Sequence, residues 1–455
     1  MKSTALSRTI LSTLILPLAL GLSAPPLWAK EPAPGKKAAP AAQQRAVPAA
    51  RETAATEQPK APDAKKARPP EEAVRAGLHY LLEQQTKSGG WNQGGGWRQG
   101  QNGAGRVEGA KVEDPADLGN TCVSLMALLR AGETPVAGEH REAAQRAFEF
   151  ICAQVEAADV DSLWATSVRD SQLQVKIGTY VDTFLTGWAL SELKGKVAEG
   201  EPEKRRAANL EKVVAKIEKH QKEDGSFGEN RGWAAVLSQG LASKALNTAS
   251  RSGAKVSPQA LARDNNQNVT GLISGTGGFA AAVPATEPSS AGVSLYRESA
   301  KLSGLQEKSR SNLQVRAQVE KLADDPAAPV AKRNEAKSQL QQFDADEKAF
   351  KDVQAGVATR SKQSQFVSGF GNNGGEEFLS YLNVGEALKE KGGADWKEWK
   401  AKMEKTICGA QNEDGSWAGQ HCITGRTFCT SAALLTLLVE QAPSPRLTEA
   451  APAKP

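Results

Sequence analysis

The 455-residue chain carries 57 Lys and Arg against 52 Asp and Glu, with five Cys, nine Trp and 39% hydrophobic residues. Its formal +5 is local: the first 70 residues hold eleven basic and four acidic side chains, which leaves about −2 for everything after them. A near-neutral remainder excludes the broad basic surface that nucleic acid requires, and the arm's charge suits at most an anionic envelope surface.

Residues 1–29 read as a secretory signal peptide. Lys2 and Arg8 supply the positive end, 10–23 are apolar, and Leu27-Trp28-Ala29 suits cleavage. The expectation is an exported protein, periplasmic or extracellular, with no transmembrane helix after cleavage; an uncleaved anchor is the alternative. Residues 30–70 are rich in Ala, Pro and Lys without periodic apolar positions, the composition of a disordered linker. Residues 71–441 are long enough for one large domain or two ordinary ones. Residues 442–455 return to Pro and Ala as a loose tail.

Within 71–441 two kinds of helix alternate. Amphipathic stripes run through Val74, Leu78 and Leu81; Ala144, Phe148, Ile151 and Val155; Leu210, Val213, Val214 and Ile217; and Trp396, Trp399, Met403 and Ile407. Between them lie stretches apolar nearly all round, at 121–131, 183–193, 233–246, 293–302, 378–388 and 426–439, which neighbours must cover on every side. Several end at a glycine suited to the left-handed cap: Gly132, Gly195, Gly304 and Gly392. The fourth apolar helix has only a short preceding partner, starting near Ser257. Six outer and six inner helices in alternation predict an (α/α)6 toroid. After the fourth inner helix, 303–322 and 331–353 are polar and helix-favouring, broken by Asp324-Asp-Pro-Ala-Ala-Pro-Val330. They predict an inserted helical hairpin over 303–355, read as a solvated spacer or a partner-docking arm.

One spacing recurs three times. Gln411-Asn-Glu-Asp-Gly-Ser-Trp417 is matched by Gln221-Lys-Glu-Asp-Gly-Ser-Phe227 and, in frame, by Gln85-Thr-Lys-Ser-Gly-Gly-Trp91. Gln caps backbone groups at the end of an outer helix, Gly89, Gly225 and Gly415 turn the chain, and the ring wedges between helix pairs. These loops, followed by helices such as Thr427-Phe-Cys-Thr-Ser-Ala-Ala-Leu-Leu-Thr-Leu-Leu438, resemble the prenyltransferase and squalene-cyclase repeat over most of 71–441. The resemblance implies the toroid and places the family's chemistry outside the repeats. Squalene-type cyclases use a central Asp in an Asp-x-Asp-Asp stretch, which this chain lacks; Asp344-Ala-Asp-Glu347 falls in the hairpin, as a solvated face. Protein prenyltransferases hold zinc through Asp, Cys and His near inner-helix starts. Here the fifth inner helix opens with Glu376-Glu377 and no Cys, and His421, Cys422 and Cys429 precede and open the sixth. That triad is not reproduced, so no metal or cofactor is expected.

Polar residues at the inner-helix starts line one mouth of the toroid: Asp117, Asn120, Tyr180, Asp182, Glu376, Glu377, Tyr381, Arg426 and Thr427. Either they converge on a ligand or each caps its own helix. Cys122 and Cys152 lie on apolar faces; Cys408 and Cys422 flank the last repeat loop, where they either form a disulfide or stay free. The leading expectation is a non-catalytic exported module that binds an envelope protein, glycan or lipid. The alternative is a toroid polysaccharide lyase acting on uronate glycans, with Asp117 and Asp182 on calcium and Arg426 or Tyr180 as base; Gln85–Trp91 with Asp117-Leu-Gly-Asn-Thr121 is loosely similar to a pectate-lyase pattern. A residual isoprenoid cyclase or transferase is the third reading, and an apolar axial cavity would favour it.

Overall fold

The computed structural model describes residues 67–95, 115–264, 292–371 and 373–442. The expected signal peptide, nearly all of the linker and the tail beyond 442 lie outside the described residues. In chain order the helices are α1 (Pro70–Gln84), α2 (Leu118–Arg130), α3 (Arg141–Ala157), α4 (Gln172–Lys176), α5 (Val181–Glu192), α6 (Glu201–His220), α7 (Ala235–Arg251), α8 (Ser294–Asp324), α9 (Val330–Arg360), α10 (Ser364–Val367), α11 (Gly375–Lys391), α12 (Gly393–Gly409) and α13 (Arg426–Leu437). A further helical stretch, 258–264, is entered with the Ser257 hydroxyl accepting from Ala260 N–H at 3.1 Å. Among the described residues there is no strand, only isolated bridges such as Trp91 with Asp117 and Gln221 with Phe227.

Burial separates the helices as their patterns predict. Every residue of α2 is buried, and so is all of α5 except its last residue. α6 by contrast buries one stripe, Arg206, Asn209, Leu210, Val213, Val214, Lys216 and Ile217, and leaves its Lys and Glu face in water. The contacts of the buried helices run in a cycle: α2 packs on α5, α5 on α7, α7 on α8, α8 on α11, α11 on α13, and α13 returns to α2. At the return, the Ser124 and Ser431 hydroxyls meet at 3.0 Å. Behind them α3 covers α2, α6 covers α5, α9 covers α8 and α11, α12 covers α11 and α13, and α1 packs on α13.

The three repeat loops fasten one outer helix to the next. Gln85 Nε2 donates to its own Gly89 carbonyl at 2.8 Å and to Ala143 at 2.9 Å, where α3 begins. Gln411 Nε2 repeats this with Gly415 at 2.9 Å and Ala73, on the first turn of α1, at 2.8 Å. Gln221 Oε1 instead accepts from Arg263 at 3.1 Å, on the 258–264 helix. The ring nitrogens of Trp91 and Trp417 each donate at 2.7 Å to a carbonyl one helical end earlier, Leu81 and Ile407. Gly89 and Gly415 hold φ near +90°, and a Cβ on either would strike the backbone of the next outer helix, at Arg146 and Ala76.

Three expectations are corrected. Gly304 ends nothing: α8 runs unbroken for 31 residues, so the fourth inner helix and the first hairpin arm are one rod. It continues because the polar residues beyond Gly304 are buried and paired: Glu307 with Arg251, Lys308 with Asp346 at 2.5 Å, and Gln306 with Glu390 at 2.8 Å. Asp346 is therefore buried and not part of a solvated face, and Phe343 and Phe350 of the same arm are buried with it. Arg68, assigned by composition to the linker, already belongs to the folded part, donating to Gln411 Oε1 at 3.1 Å and to the Asn412 and Glu413 carbonyls. Cys408 and Cys422, for which a disulfide and free thiols were both open, are free thiols. Cys408 packs at the end of α12 beside Glu404, whereas Cys422 lies in the strap that Gln172 holds, near Tyr296, so the two flank the loop without facing each other.

Candidate functional site

The segments that lead into the buried helices bond to one another, which puts those helix starts at one end. Thr427 N–H donates to Gln93 O at 3.2 Å, Gln172 N–H to Gln93 Oε1 at 2.7 Å, Gly425 N–H to Gln172 Oε1 at 2.9 Å, and Gly375 N–H to Ile423 O at 3.1 Å. Helix starts carry partial positive charge, which favours carboxylates there. Asp117, Asp182, Glu376 and Glu377 all sit on first turns and all are buried.

Most of the expected mouth residues are spent locally. Asp117 caps α2, accepting from Asn120 N–H at 2.8 Å and from the Asn120 amide at 2.7 Å. Asp182 accepts from Gln174 Nε2, and burial pushes its carboxyl up to about 6. Tyr381 donates to Val367 O at 2.8 Å. Arg426 pairs with Asp414 of its own repeat loop and reaches Ser416 Oγ at 3.2 Å. Tyr180 stands edge-on to Trp164 at 5.0 Å, with the Arg169 guanidinium 3.8 Å over that indole. Asp182 also reaches the start of α2, accepting from Gly119 N–H, whereas Arg426 is turned to its own repeat loop.

Glu376 and Glu377 are different. Glu377 Oε1 accepts from the Tyr296 hydroxyl and, at 2.9 Å, from Phe370 N–H, while Glu377 Oε2 lies 3.2 Å from His421 Nε2. Glu376 Oε2 accepts a 3.4 Å bond from Ile423 N–H; its other oxygen is buried with no hydrogen-bond partner. One donor atom from each of Glu376, Glu377 and His421 falls within 4.8 Å of the others. Burial, and then the neighbouring Glu377, push the Glu376 carboxyl up to about 7. The same two causes raise the Tyr296 phenol. Two glycines make room: a Cβ on Gly374 would lie 2.8 Å from His421 Cε1, and one on Gly369 would collide with Glu377.

Above this cluster the chain displays two rings. Phe370 stands between Gly369 at φ +57° and Gly371 at φ +120°, a backbone that lifts it to 52% exposure. Its ring lies 5.3 Å from His421 and 6.2 Å from Trp233, itself 45% exposed. Sequence reading had placed Trp233 inside an inner helix; α7 begins two residues later and leaves it on the rim.

At the opposite helix ends the interior is ionic. Arg130 bonds Glu192 at 2.9 Å and Glu386 at 2.8 Å, and Glu386 bonds Lys244 at 2.5 Å, all nearly inaccessible to water. Glu307 takes Arg251 and Arg310, and Arg310 reaches Glu390 at 3.0 Å. Four cations meet four carboxylates. Burial works against the Glu386 charge, yet Lys244 and Arg130 together hold its carboxyl far below the usual range. The available signal was a charged residue inside a stretch otherwise apolar on all sides: Arg130, Lys244 and Glu386 each answer to it. No family model, no curated protein and no solved structure matches the chain.

Proposed function

We propose that this chain is an exported binding module built as an (α/α)6 toroid, and that its recognition surface is the rim formed by Trp233, Phe370 and His421. The cyclic helix contacts and the repeat loops support the toroid. What carries the function is the Trp233–Phe370 pair. Two large aromatic rings stand half in water, Phe370 on a Gly-Phe-Gly turn and Trp233 just before α7, beside a floor of buried carboxylates. Exposed rings beside polar groups mark recognition surfaces, and stacking on the face of a sugar ring is the use this geometry suits best. The envelope ligand is therefore a glycan.

The lyase reading needs a base and a carboxylate-neutralising pair that converge on one uronate. Asp117, Asp182 and Arg426 are instead engaged with Asn120, Gln174 and Asp414. The isoprenoid reading needs an apolar axis; the buried helices instead meet through Ser124 with Ser431, Thr186 with Cys122, and the ionic network.

Co-sedimentation of the full chain with peptidoglycan sacculi and with insoluble neutral and acidic polysaccharides tests the proposal. One of these polymers is expected to retain the chain, and Trp233→Ala with Phe370→Ala is expected to weaken retention at least about tenfold while melting stays native-like. Retention that survives the double substitution, retention by none of the polymers, or release of unsaturated uronates would overturn it.

A further inference from the structure

We infer that Glu376, Glu377 and His421 form a binding site for a first-row divalent cation, zinc or manganese, beneath the aromatic rim. The inference does not depend on what the rim binds. Three observations carry it. Two consecutive carboxylates on the first turn of α11 and an imidazole from the loop before α13 bring their donor atoms within 4.8 Å of one another. Glu376 is fully buried, and its Oε1 has no hydrogen-bond partner, a condition that folded chains rarely leave standing without use. And the pocket is shaped around the ligand side chains by Gly369 and Gly374, where any Cβ would displace Glu377 or His421.

The donor chemistry selects the metal. Tetrahedral zinc holds nitrogen and oxygen at about 2.0–2.2 Å, so its donors sit roughly 3.3 Å apart. His421 Nε2 already stands 3.2 Å from Glu377 Oε2, so the remaining closure, from within 4.8 Å, falls mainly to the Glu376 side chain. Glu377 needs no such movement, because Tyr296 and Phe370 N–H already orient it by its other oxygen, as outer partners of metal ligands do. Carboxylate with imidazole suits zinc or manganese; three protein donors are too few for calcium, and soft metals prefer thiolate. Neither nearby thiol joins the set: Cys429 Sγ is directed at Ile423 O at 3.5 Å. The donors differ from the Asp, Cys and His that the family resemblance would imply. A cation here also removes an electrostatic difficulty, since two adjacent buried carboxylates repel each other in a medium of low polarity.

Full-length chain stripped of metal by chelator is titrated with Zn2+ and with Mn2+ by calorimetry, with bound metal counted after gel filtration. About one equivalent is expected, at micromolar affinity or tighter. Glu376→Gln and His421→Ala should each weaken it at least about tenfold. Cobalt substituted into the wild type provides the readout that survives if a variant fails to fold. Its visible spectrum should show nitrogen and oxygen ligation without the thiolate charge-transfer band. No uptake by the wild type, equal uptake by both variants, or a thiolate band would each overturn the site. The rim could still retain a polysaccharide in any of those cases, so the two proposals fail separately.

Discussion

At the scale of single residues, burial sets the behaviour of the acids. Asp264 is almost wholly buried and accepts from Ser243 Oγ at 2.6 Å and Asn247 Nδ2 at 3.3 Å. Burial nonetheless outweighs these bonds, and its carboxyl rises from 3.8 to about 6. Its contribution to stability is thus fully present below about pH 4. It falls as the unfolded chain ionises first, and is lost once pH passes the folded value, roughly 3 kcal/mol in all. Asp264→Asn should flatten that part of the slope in urea unfolding followed from pH 4 to 7; an unchanged slope would refute the assignment. Glutamines 85, 221 and 411 were legible because a fixed local spacing places Gln, Gly and ring on one turn. The site made by Glu376, Glu377, His421 and Tyr296 was not, since His421 and Tyr296 reach Glu377 from 44 and 81 residues away. Sequence reading noticed the glutamates and the histidine, but grouped His421 with Cys422 and Cys429, its neighbours in the chain.

At the scale of elements, the inner helices were legible because a helix with no polar face has only one place to go. Their charged members were not, because a lone Arg or Lys in an apolar stretch gives no hint of its partner. Arg130 and Lys244 both depend on Glu386. Replacing this buried, doubly paired carboxylate takes away the carboxylate that Lys244 bonds and leaves Arg130 with Glu192 alone. Glu386→Gln should cost about 3–5 kcal/mol. Lys348→Ala, which breaks an exposed pair with Asp352 on α9, should cost less than about 0.5 kcal/mol. Guanidinium unfolding of both variants decides it, and comparable midpoints would mean the network is worth no more than a surface pair. The same network explains α8. Glu307 and Lys308 draw the helix past Gly304 into the hairpin, overriding a local stop signal that reads correctly at Gly132, Gly195 and Gly392, all at positive φ.

At the scale of the molecule, charge is sorted along the helices. Asp117, Asp182, Glu376 and Glu377 occupy the starts, where the positive helix terminus favours a carboxylate, whereas cations and carboxylates are matched one for one at the other end. That sorting leaves one end with the acidic floor and aromatic rim, and the other closed by the balanced ionic network. Among the described residues no helix is long and apolar enough to cross a membrane. Everything proposed for the rim depends on the six buried helices closing on themselves, so that α13 meets α2. Ser124 and Ser431 lie 307 residues apart in sequence with their hydroxyls 3.0 Å apart. The measurement is oxidation of a Ser124→Cys, Ser431→Cys variant, with the cross-linked peptides mapped by mass spectrometry and the melting midpoint recorded before and after reduction. A closed ring predicts a 124–431 disulfide in most molecules and a midpoint that falls on reduction. If the two cysteines stay reduced, or pair with other thiols, the ring is open at that seam and the proposed rim has no frame to hold it.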